Sequence, residues 1–266
     1  MAENLDGKTA LVTGGGSGIG RAASLAYANS GARVVVTDVN IEGGEETVQM
    51  IKESGGEAIL VHADVSRPTD TEAMVSQAVK VFGSLDYAFN NAGIGGGRDR
   101  HLTADYLEED WDRVMAINLK GVWLCMKAEI PQMLKQGKGA IVNTASIAGL
   151  VGLSGTVAYV AAKHGVAGLT KAAAMEYAKS GIRVNAVCPG YIETPLIEGV
   201  FEQVEGYKET LESRHPLGRL GQPDEIASAV LWLSSDAASF VTGPVSYTHL
   251  RAHETDSYLV CRLLLE

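Results

Sequence analysis

Short apolar runs alternate along this chain with longer stretches in which apolar residues recur every three or four positions. The runs at residues 8–13, 33–37, 58–62, 85–89, 140–145 and 183–187 read as strands. The stretches at residues 21–32, 42–54, 69–82, 107–135, 156–179 and 223–235 read as helices, with Pro131 bending the end of the fourth and Pro223 opening the last. Strand and helix in repeated alternation imply an α/β fold, a doubly wound parallel sheet with helices on both faces. Residues 195–216 form a polar interruption carrying Phe201, Val204 and Tyr207, read as a lid. No solenoid-length repeat and no linker-like composition occur before Gly243, so residues 1–243 read as one domain.

Chemistry-bearing residues collect where the predicted strands end. After the first run come Gly14, Ser17, Gly18, Ile19 and Gly20, then an Ala-rich helical pattern. Glycines let a backbone approach a pyrophosphate, and a helix that begins there presents unpaired N–H groups and a positive dipole end. The second strand ends at Asp38, where a Rossmann unit places an acid on the adenosine ribose hydroxyls. A carboxylate at this point repels a 2′-phosphate, and Ser17, Val39 and Asn40 offer no cation, so NAD is expected over NADP. Asp64 and Val65 follow the third strand, and Asn90, Asn91, Ala92 and Gly93 the fourth. Asn118 lies inside the long helical segment. Ser146 follows the fifth strand, and Pro189, Gly190, Ile192 and Thr194 the sixth.

Tyr159 and Lys163 stand four residues apart in a proline-free helical stretch, so one face carries both. At about 4 Å and an effective dielectric of roughly 20, an ammonium favours phenolate by roughly 4 kcal/mol, or about 3 pK units. That predicts a Tyr159 phenol acidic enough to exchange a proton with an alcohol or carbonyl oxygen, with Ser146 bonding the same oxygen. A packed ring beside a solvated amine is the plainer alternative for such a pair.

Composition narrows the partners. The formal charge of −10, from 32 acidic and 22 basic residues with no long basic run, speaks against nucleic acid and anionic membrane surfaces and for small molecules. Cys125, Cys188 and Cys261 form no CxxC pair, and the first residues lack the apolar core of a signal peptide; both point to the cytoplasm.

Taken together in this order, the motifs resemble the short-chain dehydrogenase/reductase family over about residues 5–243. Thr13-Gly14 through Gly18 and Gly20 match its glycine motif, Asn90 to Gly93 its Asn-Asn-Ala-Gly, and Tyr159 to Lys163 its Tyr-xxx-Lys, with Ser146 thirteen residues earlier. The resemblance implies a catalytic set of Asn118, Ser146, Tyr159 and Lys163, hydride transfer between NAD(H) and a secondary alcohol or ketone, and a dimer or tetramer. It places Gly14, Ser17, Gly18, Ile19 and Gly20 on the pyrophosphate, Asp38 on the ribose, and Asp64 and Val65 on the adenine. Thr194 is placed on the carboxamide. Asn91, Ala92, Gly93, Pro189, Gly190 and Ile192 complete the cofactor contacts, and Tyr159 and Lys163 belong to the cofactor set as well as to the catalytic one.

Past Gly243 the family's Val-Asp-Gly-Gly strand is missing, and residues 244–266 read as sequence from a frame change, vector or adapter, without the last strand. A metal site from His249, His253 and Cys261 lacks a fourth ligand and is not expected. Small uncharged cyclic alcohols, sugars and steroids all fit a cleft edged by Leu150, Val151 and Leu153 under a lid with Glu198, Glu202, Glu205 and Glu209. Arg98 and Arg100 read as solvated loop charges. An NADPH-dependent reductase of carrier-bound acyl groups and a non-catalytic dinucleotide sensor remain the alternatives.

Overall fold

All six apolar runs form strands in the computed structural model, which describes residues 5–95, 101–197, 206–213, 215–243 and 245–247. They are β1 (Thr9–Thr13), β2 (Arg33–Asp38), β3 (Ala58–His62), β4 (Tyr87–Asn90), β5 (Gly139–Thr144) and β6 (Ile182–Cys188). Every pairing is parallel, in the order β3-β2-β1-β4-β5-β6-β7. The seventh strand, β7 (Val245–Tyr247), corrects the expectation that the last strand is missing. It pairs with Ala186, Val187 and Cys188 of β6. Edge pairing uses main-chain groups, so it does not require the family's glycine pair.

The connecting helices are α1 (Gly18–Asn29), α2 (Ile41–Glu53), α3 (Pro68–Phe82), α4 (Glu108–Met115), α5 (Val122–Gln136) and α6 (Val157–Tyr177). Successive β1 residues point to opposite sides. Ala10 and Val12 join Tyr27, Val34, Val36, Phe89, Ile226 and Val230 under α1 and the helix Pro223–Ser234. Leu11 joins Val35, Met74, Met126, Ile141 and Val184 under α3, α5 and α6. Both faces are thus covered. The predicted helix at residues 107–135 is interrupted by a π-helical turn, Ala116–Gly121, and continues beyond Pro131 to Gln136.

Since the chain leaves β1 in one direction for β2 and β3 and returns on the other side for β4, a crevice opens between the carboxyl ends of β1 and β4. Thr13 Oγ1 spans it, accepting from the amides of Asn91 (3.0 Å) and Ala92 (3.1 Å).

At the far edge, the helix Pro223–Ser234 has no basic residue in its last turn. Arg183 of β6 supplies the charge instead, donating to the carbonyls of Leu233 (2.6 Å), Ser234 (2.9 Å), Ser235 (2.9 Å) and Val241 (3.3 Å). Asn185 Nδ2 also donates to Val241 O (3.0 Å), and the Gly243 amide to Val184 O (2.9 Å).

Of the predicted lid, Tyr207–Ser213 is helical. Arg98, Arg100, Glu198, Phe201, Glu202, Val204, Glu205, His249, His253 and Cys261 lie outside the described residues. Among the described residues no helix is long and apolar enough to cross a membrane.

Candidate active site

The glycine turn is shaped by contacts that exclude side chains. Gly14 and Gly18 hold positive φ (65° and 49°), the left-handed region that favours glycine. A Cβ on Gly20 would lie 1.9 Å from the Gly14 carbonyl oxygen, and one on Gly16 2.9 Å from Asp38 Oδ2. Helix α1 starts at once from this turn. Ser17 makes no side-chain cap and no acid occupies the first turn, so the leading amides of α1 face the crevice without a protein anion. This donor set fits a pyrophosphate.

Asp38 closes the same turn. Its Oδ2 accepts from the Gly16 amide (2.8 Å) and its Oδ1 from the Asn40 amide (2.8 Å). Arg21 braces the far side, donating to Gly16 O (2.6 Å), to Thr47 Oγ1 (3.1 Å) and to Glu46. Buried Thr47 in turn donates to Gly15 O (2.9 Å). Neither Arg21 nor Thr47 was singled out by sequence, since their partners lie on other elements.

On the other side of the crevice, α6 presents Tyr159 and Lys163 from one face, with Lys163 Nζ 5.6 Å from the Tyr159 ring centroid. Ser146 and Tyr159 line the same small cavity, and Ser146 Oγ accepts from the Ala148 amide (3.1 Å). Lys163, 3% exposed, donates from Nζ to Thr144 O at 2.7 Å. Gly149 permits this packing: a Cβ there would stand 2.6 Å from the Lys163 carbonyl oxygen.

The electrostatics correct the expected acidified phenol. Burial raises the Tyr159 phenol above its ordinary 10.0, with the nearby Ser146 hydroxyl pulling the other way. Burial also lowers the Lys163 ammonium to about 8. The charge argument assumed a partly solvated pair about 4 Å apart, whereas here desolvation of the hydroxyl is the largest influence on it.

Asn118 is fully buried in the π-helical turn. Its amide clasps the backbone of Ile94, with Oδ1 accepting from Ile94 N (2.8 Å) and Nδ2 donating to Ile94 O (2.8 Å). It therefore stands behind the loop that follows Gly93.

Ile19, Asn91, Gly93, Ser146, Tyr159, Lys163, Pro189, Gly190, Ile192 and Thr194 meet around one cavity of about 110 Å³. Gly14, Gly18, Gly20 and Asp38 form the neighbouring turn. Val65 is buried and packs towards Gly121, while Asp64 Oδ1 accepts from the amide and hydroxyl of Ser66 (2.9 and 2.7 Å). Ala92 is held through its amide by Thr13. Ile94, Thr144, Leu196 and Ile197 also line the cavity and were missed, having no motif to mark them. No group of three or more metal-ligating side chains occurs among the described residues.

A family profile described as enoyl-(acyl carrier protein) reductase matches residues 14–249. Cyclohexanol dehydrogenase of an Acinetobacter species is 51% identical, covering 91% of this chain and 94% of its own. A 2,5-dichloro-2,5-cyclohexadiene-1,4-diol dehydrogenase of Sphingobium indicum is 48% identical, covering 90% and 94%. The crystal structure of levodione reductase superposes with a TM-score of 0.89 at 38% identity, covering 92% of this chain and 97% of that one. The chain belongs to the short-chain dehydrogenase/reductase family. It is an oxidoreductase acting on CH–OH groups with a nicotinamide dinucleotide.

Proposed function

We propose that this protein is an NAD-dependent dehydrogenase of a small, uncharged cyclic secondary alcohol, with Tyr159 as general acid/base. The observation that carries the reading is the meeting of Ser146, Tyr159 and Lys163 around one cavity whose other walls include Ile94, Leu196 and Ile197. Such a cavity suits a ring bearing one reactive oxygen, and two relatives are named for cyclohexane-type alcohols.

Gly14, Ser17, Gly18, Ile19 and Gly20 would hold the pyrophosphate, Asp38 the adenosine ribose, Asp64 and Val65 the adenine, and Thr194 the carboxamide. Asn91, Ala92, Gly93, Pro189, Gly190 and Ile192 would flank the nicotinamide half. When bound, NAD supplies the hydride acceptor. Ser146 Oγ orients the substrate oxygen, and Tyr159 Oη takes the hydroxyl proton during oxidation or returns it during reduction. Lys163 supports the phenolate electrostatically and holds the nicotinamide ribose. Asn118 connects Lys163 to a proton path through its backbone carbonyl.

The test is NADH formation with a panel of cyclic secondary alcohols, NAD and NADP in parallel. NAD is expected to be preferred by about 10²-fold in kcat/KM, because juxtaposed like charges cost several kcal/mol. Asp38→Ser should erase most of that preference. Turnover with NADP(H) alone would favour the carrier-bound acyl reductase instead, and cofactor binding without turnover on any substrate would favour the sensor.

We also propose that the protein self-associates and works in the cytoplasm, where its buried thiols, Cys125 and Cys188, stay reduced. The surface of α4, the π-helical turn, α5 and α6 carries an open groove of about 750 Å³ lined by Met115, Leu119, Trp123 and Leu169. Trp123 is 43% exposed there, as suits a face covered by another copy. Trp123→Glu is expected to lower the sedimenting mass; an unchanged mass places the interface elsewhere.

A further inference from the structure

Below the cleft, α5 carries a carboxyl into the core: Glu129 is fully buried. Its Oε2 accepts from Asn90 Nδ2 at 3.1 Å, and the same Nδ2 donates to Asn143 Oδ1 at 3.0 Å. Asn143 Nδ2 donates onward to Thr170 Oγ1 at 3.0 Å, and the Thr170 hydroxyl to Val166 O at 2.8 Å. One chain of bonds thus joins α5, β4, β5 and α6.

Two acceptors on this network have no partner, Glu129 Oε1 and Asn90 Oδ1. They belong to the very two side chains that share the 3.1 Å bond. A carboxylate facing an amide through one N–H···O bond leaves acceptor beside acceptor. A proton on Oε1 turns one of them into a donor and completes a cyclic acid–amide pair, satisfying both. A bare carboxylate would instead be buried without counter-charge.

Among the described residues the surroundings supply none. Asn90 of β4 bonds Glu129, and Asn143 of β5 and Thr170 of α6 continue the network; none of the three titrates. Met74, Val75 and Ala78 of α3 and Val184 of β6 share one apolar core with Cys125, Met126 and Ile130, the neighbours of Glu129 on α5. Among the described residues the titratable group coupled to it is the Cys125 thiol, one turn back, itself pushed well up by burial and by Glu129.

We propose that Glu129 is a neutral carboxylic acid in the folded enzyme, donating from Oε1 to Asn90 Oδ1, and that this pair is a positioning device for Lys163. Asn143 immediately precedes Thr144, whose carbonyl accepts Lys163 Nζ at 2.7 Å. Thr170 lies two turns along α6 from Lys163. The network therefore fixes both the acceptor of the ammonium and the helix that carries it. Burial acts in the same direction, raising the Glu129 carboxyl from 4.5 to about 8. The positioning role rests on the function assigned to Lys163 above, whereas the protonation does not.

Glu129→Gln preserves the paired hydrogen bonds without an ionisable proton, and Glu129→Leu removes them. Denaturation midpoints across pH 5 to 8.5 read the proton. The wild-type carboxyl stabilises fully below the unfolded-state value near 4.5 and loses that contribution as pH rises to about 8. The wild type should therefore weaken relative to Glu129→Gln by up to about tenfold in folding equilibrium per pH unit in that window. A pH-independent difference would show an ionised, hydrated Glu129 and overturn the proposal.

For positioning, Glu129→Leu should lower kcat by about tenfold or more and shift the pH profile of kcat at unchanged cofactor KM, with Glu129→Gln restoring both. Thr170→Val, at the other end of the network, serves if the Leu variant does not fold. Unaltered kcat and pH profile in the folded variant would reduce Glu129 to a packing role. Absence of NAD-linked turnover in the wild type would defeat the proposed function while the midpoints still decide the proton.

Discussion

Tyr159→Phe lowers kcat by between about 10² and 10⁴-fold, the range of a positioned proton donor, and leaves cofactor affinity within about twofold. The substitution deletes one oxygen and keeps the ring whose centroid lies 5.6 Å from Lys163 Nζ. The deleted oxygen belongs to the phenol that lines the cavity together with Ser146. Lys163 does not substitute for it, because its Nζ is held by the Thr144 carbonyl. Steady-state kinetics with a fluorescence titration of cofactor binding separate the two effects. A loss of kcat below about tenfold would move the proton transfer away from Tyr159. In the wild type, burial keeps the phenol protonated, so alcohol oxidation should quicken as pH rises above neutrality and ketone reduction should not.

Gly20→Ala abolishes measurable cofactor binding and destabilises the fold by about 3 kcal/mol. Within a helix this exchange ordinarily gains up to about 1 kcal/mol. Here the added Cβ would stand 1.9 Å from Gly14 O and 2.8 Å from Asn91 Nδ2, so the turn or α1 must move. Overpacking of this kind costs about 1–3 kcal/mol and occasionally more. The displaced atoms are those of the turn that presents the amides of α1. Thermal unfolding and a binding titration check both parts, and a gain in stability at unchanged affinity would show that the turn yields.

The legible parts of the molecule were the local ones. The glycine turn, the acid ending β2 and the four-residue spacing of Tyr159 and Lys163 each depend on a few neighbouring residues and on helix or strand periodicity. The parallel sheet followed from alternation alone. What escaped depended on distant neighbours. The rise of the Tyr159 phenol comes from shielding by segments far along the chain, which a two-charge estimate omits. Glu129, next but one to Pro131, looks in sequence like a solvated helix residue, and only the packing of β4 and β5 reveals its burial. Arg21 and Thr47 acquire their meaning when α2 closes on the glycine turn. Asn118 was noticed, but the π-helical turn around it has no residue signature. The three residues of β7 were hidden by an unfamiliar context, since their pairing is written in main-chain atoms.

The grip of β6 on the stretch before it leaves the sheet bears on how the gene can change. Arg183, Asn185 and Val184 secure residues 233–243 through main-chain atoms. Substitutions in the gripped residues leave those carbonyls in place, so the attachment survives sequence drift.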